Sequence, residues 1–426
     1  MKIKYLFSAI LLASSLQATT INELFNSLQK QPISKIDTLI SKSANMSQQK
    51  IYSSYYPKAD IFASYTHYNT PYSLKPLDPI ETAQLTSNNE PIPFSKSIQK
   101  VGIRISIPIF MKELSSLSEK AKYLTKNAKL KKKINFFQNE AIILGLNASL
   151  EYLDNLLVAL SSTQQSLLKT KHDITISVNS GRVAGIELDK INEKLNQIDI
   201  AINNVKIEQT NVISKIEQFT NITIEHSVPL VLLKNPISNY LILLEPLKNS
   251  IDASLSDLKA TKEKKYFPKI ILNGLYTKNY AKDNIQDDRN IEEDFGYYEI
   301  VLSIPLYNKT QSTDIQLKKI ALMKSKMKLN KTSVELKYQI KALKKELTLL
   351  KRSKELNQKN ILNKKNLLKY AKVSFDEGRM TQEDYLRYED ELLNAKSDYF
   401  KIVSQVWQDI GKLAVIYGID LKEIVK

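Results

Sequence analysis

Side chains that could carry chemistry are few in this chain, and they do not gather. Three histidines, His67, His172 and His226, lie far apart, which argues against an imidazole metal site. Cysteine is absent, which excludes disulfides, thiolate ligands, cysteine nucleophiles and a lipid-attachment thiol. No Ser/His/Asp arrangement, phosphate loop or carboxylate pair stands out, so the chain reads as a non-enzyme with neither cofactor nor metal. Charge is more abundant. A formal net charge of +17, or +15 without Lys2 and Lys4, could meet nucleic acid or an anionic membrane. The lysines are interleaved with acids, however, as in Lys344-Lys345-Glu346. The densest run, Lys129-Leu130-Lys131-Lys132-Lys133, has aromatics only downstream, at Phe136 and Phe137. Solvated helix faces, without nucleic acid, account for that pattern.

The elements that carry these residues are organised by a long repeat. Ile107-Pro108-Ile109-Phe110 recurs as Ile304-Pro305-Leu306-Tyr307, and Gly181-Arg182-Val183 recurs as Gly378-Arg379-Met380. Both pairs are 197 residues apart, so each proline-to-glycine interval is 73 residues. Self-similarity at this period points to two fused halves rather than a string of domains. Each copy is a strand-like run, a very long helical run and a glycine turn. No proline falls between Pro108 and Pro229 or after Pro305, and Gly145 is the only glycine from 111 to 180. These tracts can therefore run as unbroken helix. A helix of about 68 residues would be roughly 100 Å long, suited to crossing a large gap.

Periodicity in the tracts is heptad-like. Leu336, Ile340, Leu343, Leu347 and Leu350 alternate in steps of four and three, continuing through Ile361, Leu368, Ala371 and Phe375. After the turns the seam resumes through Ile191, Leu195, Ile198, Ile202, Val205, Val212 and Ile216. The second copy carries Leu386, Leu393, Phe400, Val403, Trp407, Ile410 and Ala414. Such seams predict coiled-coil packing, with each long helix antiparallel to its successor. Gly181 and Gly378 suit left-handed helix C-termini.

Paired strands are expected over Ala59–Asn69 and Ile98–Ile109, around a loop holding Pro71, Pro76, Pro79, Pro91 and Pro93. A second pair is expected over Lys269–Tyr280 and Tyr297–Leu306, around an acidic loop from Asp283 to Asp294. Val101, Ile103, Ile105 and Ile107 alternate with Gly102, Arg104 and Ser106; Tyr298, Ile300, Leu302 and Ile304 alternate with Glu299, Val301 and Ser303. Strands of this length and pattern fit an outer-membrane barrel, and equally a soluble sheet. Residues 1–18 resemble a secretory leader: Lys2 and Lys4, an apolar stretch from Tyr5 to Leu16, then small residues up to Ala18. No later stretch reads as an apolar membrane helix. Four strands cannot close a barrel, and open edges are not tolerated in lipid. If the strands span a membrane, three copies, giving twelve strands, are the smallest set that leaves a pore.

The ordered landmarks resemble the TolC-like outer-membrane efflux protein family over about residues 20–418. Tyr56-Pro57-Lys58 and Phe267-Pro268-Lys269 enter the outward strands, and the two Ile-Pro pairs leave the return strands. Gly181-Arg-Val-Ala-Gly-Ile-Glu-Leu and Gly378-Arg-Met-Thr-Gln-Glu-Asp-Tyr-Leu match the helix-tip turns, and Leu393-Asn394-Ala395-Lys396 follows the second. The resemblance implies an internally duplicated α+β membrane protein, with long antiparallel coiled-coil helices forming an α-barrel. Four strands per chain would join a homotrimeric 12-stranded β-barrel in the outer membrane, above a periplasmic helical tunnel. The implied layout is a signal peptide (1–18), a first repeat (19–218), a waist connection (219–252), a second repeat (253–418) and a tail (419–426). The implied function is export of drugs, toxic compounds, metal ions or proteins through a tripartite efflux or type I secretion system. A periplasmic adaptor and an inner-membrane pump would be its partners. By the same resemblance, Asp384 matches a gate aspartate, while Arg387 departs from the second aspartate. Glu187, paired with Arg379, would tie the tips when closed. Gly181, Arg182, Gly378 and Arg379 would contact the adaptor. The alternative is a soluble periplasmic coiled-coil adaptor or scaffold.

Overall fold

A computed structural model describes residues 19–282 and 289–426. The expected leader, and residues 283–288 of the expected acidic loop, lie outside the described residues. The proline-free tracts form α4 (Lys112–Asn179) and α7 (Lys309–Asp376), each 68 residues without a break. Their successors α5 (Gly185–Thr220) and α8 (Gln382–Tyr417) are each 36 residues. Shorter helices of 22 residues, α2 (Pro32–Ser53) and α6 (Glu245–Tyr266), precede the strands of each half. From the start of the long helix to the end of its successor, every boundary keeps the 197-residue offset.

The chain folds into two compact units. One combines the residues up to Leu39 with Leu130–Leu244 and Thr332–Lys426; the other combines Ile40–Lys129 with Glu245–Lys331. The core of the first unit is a coiled-coil seam. Ile191, Leu195, Ile198, Ile202, Val205, Val212 and Ile216 of α5 are buried, with Gln209 filling the step between Val205 and Val212. Gln209 is tolerated there because its Nε2 donates to Asp154 Oδ1 at 2.7 Å. A short helix α1 (Ile21–Leu28) buries Ile21, Leu24, Phe25 and Leu28 in the same core, and Thr20 and Glu23 close a capping box at its start.

Helix α8 departs from its expected seam. Leu386, Leu393 and Val403 are only half-buried, and Tyr385, Glu389, Leu392 and Ala395 form the buried stripe near the turn. A helix packed on more than one side uses two adjacent stripes, and a single heptad register captures only one. One 18-residue window of α4 is also apolar enough to pass as a membrane span, with a mean hydropathy of 1.3, contrary to expectation. Ile143, Leu144, Leu150 and Leu153 of this helix are buried in the core shared with α1, α5 and α8.

The connection between repeats is shorter than expected. Residues 221–241 link α5 to a 3₁₀ turn at Ile242–Leu244, and α6 already begins at Glu245. Asn147 of α4 clamps this link with two bonds, donating to the Val228 carbonyl at 2.7 Å and accepting its N–H at 2.8 Å. The tail returns to the same place. Val231 and Lys426 exchange backbone bonds of 2.7 and 3.0 Å, and a 3₁₀ turn at Leu421–Glu423 lies against α4. There Glu140 is fully buried, accepting the Leu421 N–H at 3.4 Å, with Lys422 Nζ 3.9 Å from its other oxygen.

The second unit holds a four-stranded antiparallel sheet in the order β1 (Lys58–Ser73), β2 (Phe94–Met111), β3 (Lys269–Lys282), β4 (Asn290–Ser303). The strands are longer than expected at their turn ends, and β4 stops before Ile304 because Pro305 cannot extend the ladder. Register sorts the faces. Ile61, Ile103 and Tyr276 share one side, as do Leu272 and Ile300, while Asp60 and Arg104, and Ser64, Lys100, Asn279 and Glu293, share the other. The proline-bearing loop is not irregular throughout: Pro71 lies inside β1, and Pro79 starts a helix α3 (Pro79–Ser87) capped by Asp78. The offset between copies is 211 residues at Lys58 and Lys269 but 197 at Lys112 and Lys309, so the first hairpin is 14 residues longer.

Candidate functional site

The two glycine turns are built the same way. Gly181 and Gly378 have φ of +69° and +70°, and each closes a Schellman motif. The N–H of Arg182 donates to the Ser177 carbonyl and that of Gly181 to Val178; Arg379 and Gly378 repeat this onto Ser374 and Phe375. All four bonds are 2.8–2.9 Å. The motif satisfies the last carbonyls of each long helix and needs a left-handed residue, which glycine supplies without steric cost. Arg182 and Arg379 follow directly and are exposed.

After the turns the copies diverge. Helix α8 is capped by Thr381, whose Oγ1 accepts the Asp384 N–H at 3.2 Å and donates to Asp384 Oδ2 at 2.8 Å. The other oxygen of Asp384 pairs with Arg387 at 3.0 Å. Asp384 and Arg387 are thus brought together within one helix turn. Helix α5 has Ala184 at the cap position, without a side-chain bond.

The expected Glu187–Arg379 pair is not made. Glu187 pairs with Lys190 at 3.1 Å, and Arg379 pairs with Glu377 at 3.3 Å. Local partners win because a neighbour two or three residues away along the chain costs little side-chain ordering. The turns are joined instead through Gln382, buried at the start of α8, whose Nε2 donates to the Glu187 carbonyl at 2.9 Å. Between the turns lies a cleft of about 830 Å³, bordered by Arg182, Glu187, Lys190, Asp376, Gly378 and Glu383.

Behind the cleft, α8 is held by a polar cluster that heptad reasoning missed. Tyr385 is 1% exposed and stacks on Phe375, ring centroids 5.0 Å apart. Its hydroxyl donates to Glu389 Oε1 at 2.9 Å, and Ser166 Oγ of α4 donates to the same oxygen at 2.5 Å. Burial pushes the Tyr385 hydroxyl up to about 12, and the Glu389 carboxylate beside it acts in the same direction. Two ion pairs flank α8, Lys194–Asp390 to α5 at 2.5 Å and Lys364–Glu391 to α7 at 2.7 Å. The signal for this cluster was a second stripe, Tyr385, Glu389 and Leu392, stepping by four and three one residue before the leucines. Among the described residues, no group of three or more His, Asp or Glu side chains is placed to hold a metal ion.

Solved structures match this architecture along nearly its whole length. A Campylobacter jejuni outer membrane channel, CmeC, superposes with a TM-score of 0.76 at 15% identity, covering 93% of this chain and 85% of that one. The outer membrane protein VceC of Vibrio cholerae gives 0.77 at 13% identity, over 94% and 96%. The chain has the fold of the TolC-like outer-membrane channels. The open state of the Neisseria gonorrhoeae outer membrane channel MtrE shares this channel fold, with a TM-score of 0.74 at 11% identity over 94% and 89%. No protein-family profile and no curated protein sequence matches the chain. Of the two readings of the strands, the channel fold is the one found; the soluble adaptor is not favoured.

Proposed function

We propose that the chain is one protomer of a homotrimeric outer-membrane channel-tunnel. It would export small molecules or proteins for a tripartite efflux or type I secretion system, itself performing no chemistry. The observation that carries this reading is the sheet: four strands, an apolar face with Ile61, Tyr298 and Ile300 largely exposed, and free edges at β1 and β4. An open edge cannot sit in lipid, so other copies must complete the barrel, and three give the twelve strands of a pore. Exposed apolar residues along α7, including Leu317, Ile320, Met323 and Met327, are consistent with cover by neighbouring helices. The outer membrane and the periplasm would hold the sheet and the helices respectively. A periplasmic adaptor, driven by an inner-membrane pump, would dock on Gly181, Arg182, Gly378 and Arg379, the exposed points of the two turns.

In this reading the turn region is the periplasmic gate. Asp384 and Arg387 would ring the aperture as neutralised pairs, a mixed ring that excludes anions less than carboxylates alone. The Glu187 carboxylate acts through Lys190, while Gln382 holds only its backbone carbonyl, and Arg379 belongs to the adaptor surface. The test is fractionation followed by conductance. Heat-modifiable trimers in the outer-membrane fraction and discrete conductance in planar bilayers are expected, with Glu187→Lys raising that conductance. A fully soluble monomer would overturn the channel, and unchanged conductance in the variant would remove Glu187 from the gate.

A further inference from the structure

A cleft of about 700 Å³ opens on the polar face of the sheet, beneath the segment joining β1 to β2. Its roof is anchored. Leu74 is 1% exposed and packs on Ile98 and Ile291, and Asn279 Nδ2 donates to the Leu74 carbonyl at 2.5 Å. Lys75 pairs with Glu81 and with Glu293, 3.0 Å in each case. Glu293 lies in the same cross-strand row as Lys100, so the acid that could neutralise this row is committed to the roof.

Two cations remain on the floor. Lys100 and Arg104 line the cleft on one face of β2, their backbones about 14 Å apart at ~3.4 Å per residue. Neither makes an ion pair among the described residues. Asp60 faces Arg104 in register, yet the guanidinium turns onto the Phe62 ring, 5.1 Å from its centroid. Gly102 separates the two cations. A Cβ there would meet the Tyr276 carbonyl oxygen at 2.4 Å, and Phe62 stands opposite it in register. Leu275 and Phe295 complete an apolar wall on the neighbouring strands.

Lys100 is half-buried and Arg104 exposed; cations held without an ion pair attract an anion, and a low-polarity wall strengthens that attraction while adding contact area. We propose that this cleft binds an elongated organic anion with a flat apolar body. Lys100 and Arg104 hold the acid group, and Phe62, Leu275 and Phe295 hold the body. The site lies within one chain and stands apart from whether the protein conducts.

The probe is 1-pyrenesulfonate, with neutral 1-pyrenemethanol as its control, dialysed to equilibrium against the full chain in amphipol. The sulfonate should bind more tightly than the alcohol, and its affinity should fall as salt screens the cations. The K100Q/R104Q double variant should lose at least ~10-fold of sulfonate affinity, as expected when charge-assisted bonds are removed, while alcohol binding stays unchanged. K100R, which keeps both charges and leaves the stacked Arg104 guanidinium in place, should bind the sulfonate within ~3-fold of the original chain, so a loss confined to the neutral pair is not misfolding. Equal binding of sulfonate and alcohol, or undiminished binding by the neutral pair, would overturn the proposal. Conductance of the same preparation without probe scores the channel separately.

Discussion

Glu140 offers the sharpest test of how the tail is held. Burial first, and then the negative charge of Asp420, lift its carboxyl from 4.5 to about 8, although the Leu421 N–H and Lys422 oppose this. At ~1.4 kcal/mol per pH unit, that rise means roughly 5 kcal/mol against ionising the group inside the fold. The folded state therefore binds the proton more tightly than the unfolded chain. Stability from this group is complete below pH 4.5, declines as pH rises, and is lost above about 8. Between pH 5.5 and 7.5 the decline should be about 3 kcal/mol, roughly a hundredfold in an opening equilibrium. In Glu140→Gln the amide still accepts the Leu421 N–H but cannot ionise, so the slope should vanish. Hydrogen exchange of the Val231, Leu233 and Lys426 amides, corrected for intrinsic rates, reads the opening of this segment directly. If original and variant proteins lose protection equally with pH, the tail is not governed by Glu140 and the argument fails.

Two further substitutions test packing. Gly102→Ala places a methyl against the Tyr276 carbonyl, 2.4 Å away before relaxation, and should cost about 1–3 kcal/mol through forced strand displacement; an unchanged melting temperature in the variant would contradict this. Tyr385→Phe leaves Glu389, 5% exposed, with Ser166 as its remaining donor in the cluster. It should destabilise by about 1–3 kcal/mol, seen as a lower melting temperature, and an unshifted melt would mean that water replaces the hydroxyl.

The long helices were legible because their determinants are local: missing prolines, scarce glycines and a heptad that needs no partner to be recognised. The Schellman turns were legible for the same reason, since a left-handed residue after a helix is a glycine problem whatever surrounds it. Strand alternation located all four strands, although their ends were set by register with neighbours that a single strand does not reveal. What stayed hidden depends on reach across space. Glu187 and Arg379 looked like partners by position, but Lys190 and Glu377 are nearer on their own chain segments. The Ser166–Tyr385–Glu389 cluster joins Ser166 to residues 219 and 223 positions away, and polar residues on a second stripe look solvent-facing until a neighbouring helix is in place. The roof over the sheet was read as loop because its prolines mark a helix start and a strand interior as readily as a turn.

The unvarying offset from α4 to α8 has a consequence for how such a chain can change length. Gln382 reaches the Glu187 carbonyl only while the two turns stay level, so the copies cannot drift independently. Deleting one residue from α4 alone would draw its turn back by ~1.5 Å and swing it by roughly 100° relative to the other. Insertions and deletions in the helices must therefore arise as matched events in both copies, or be confined to one whole turn pattern shared by both. The hairpins carry no such obligation, and the 14 extra residues of the first one sit where a lone insertion could survive. Duplication has left this protein with a pair of coupled rulers and one place where length is free.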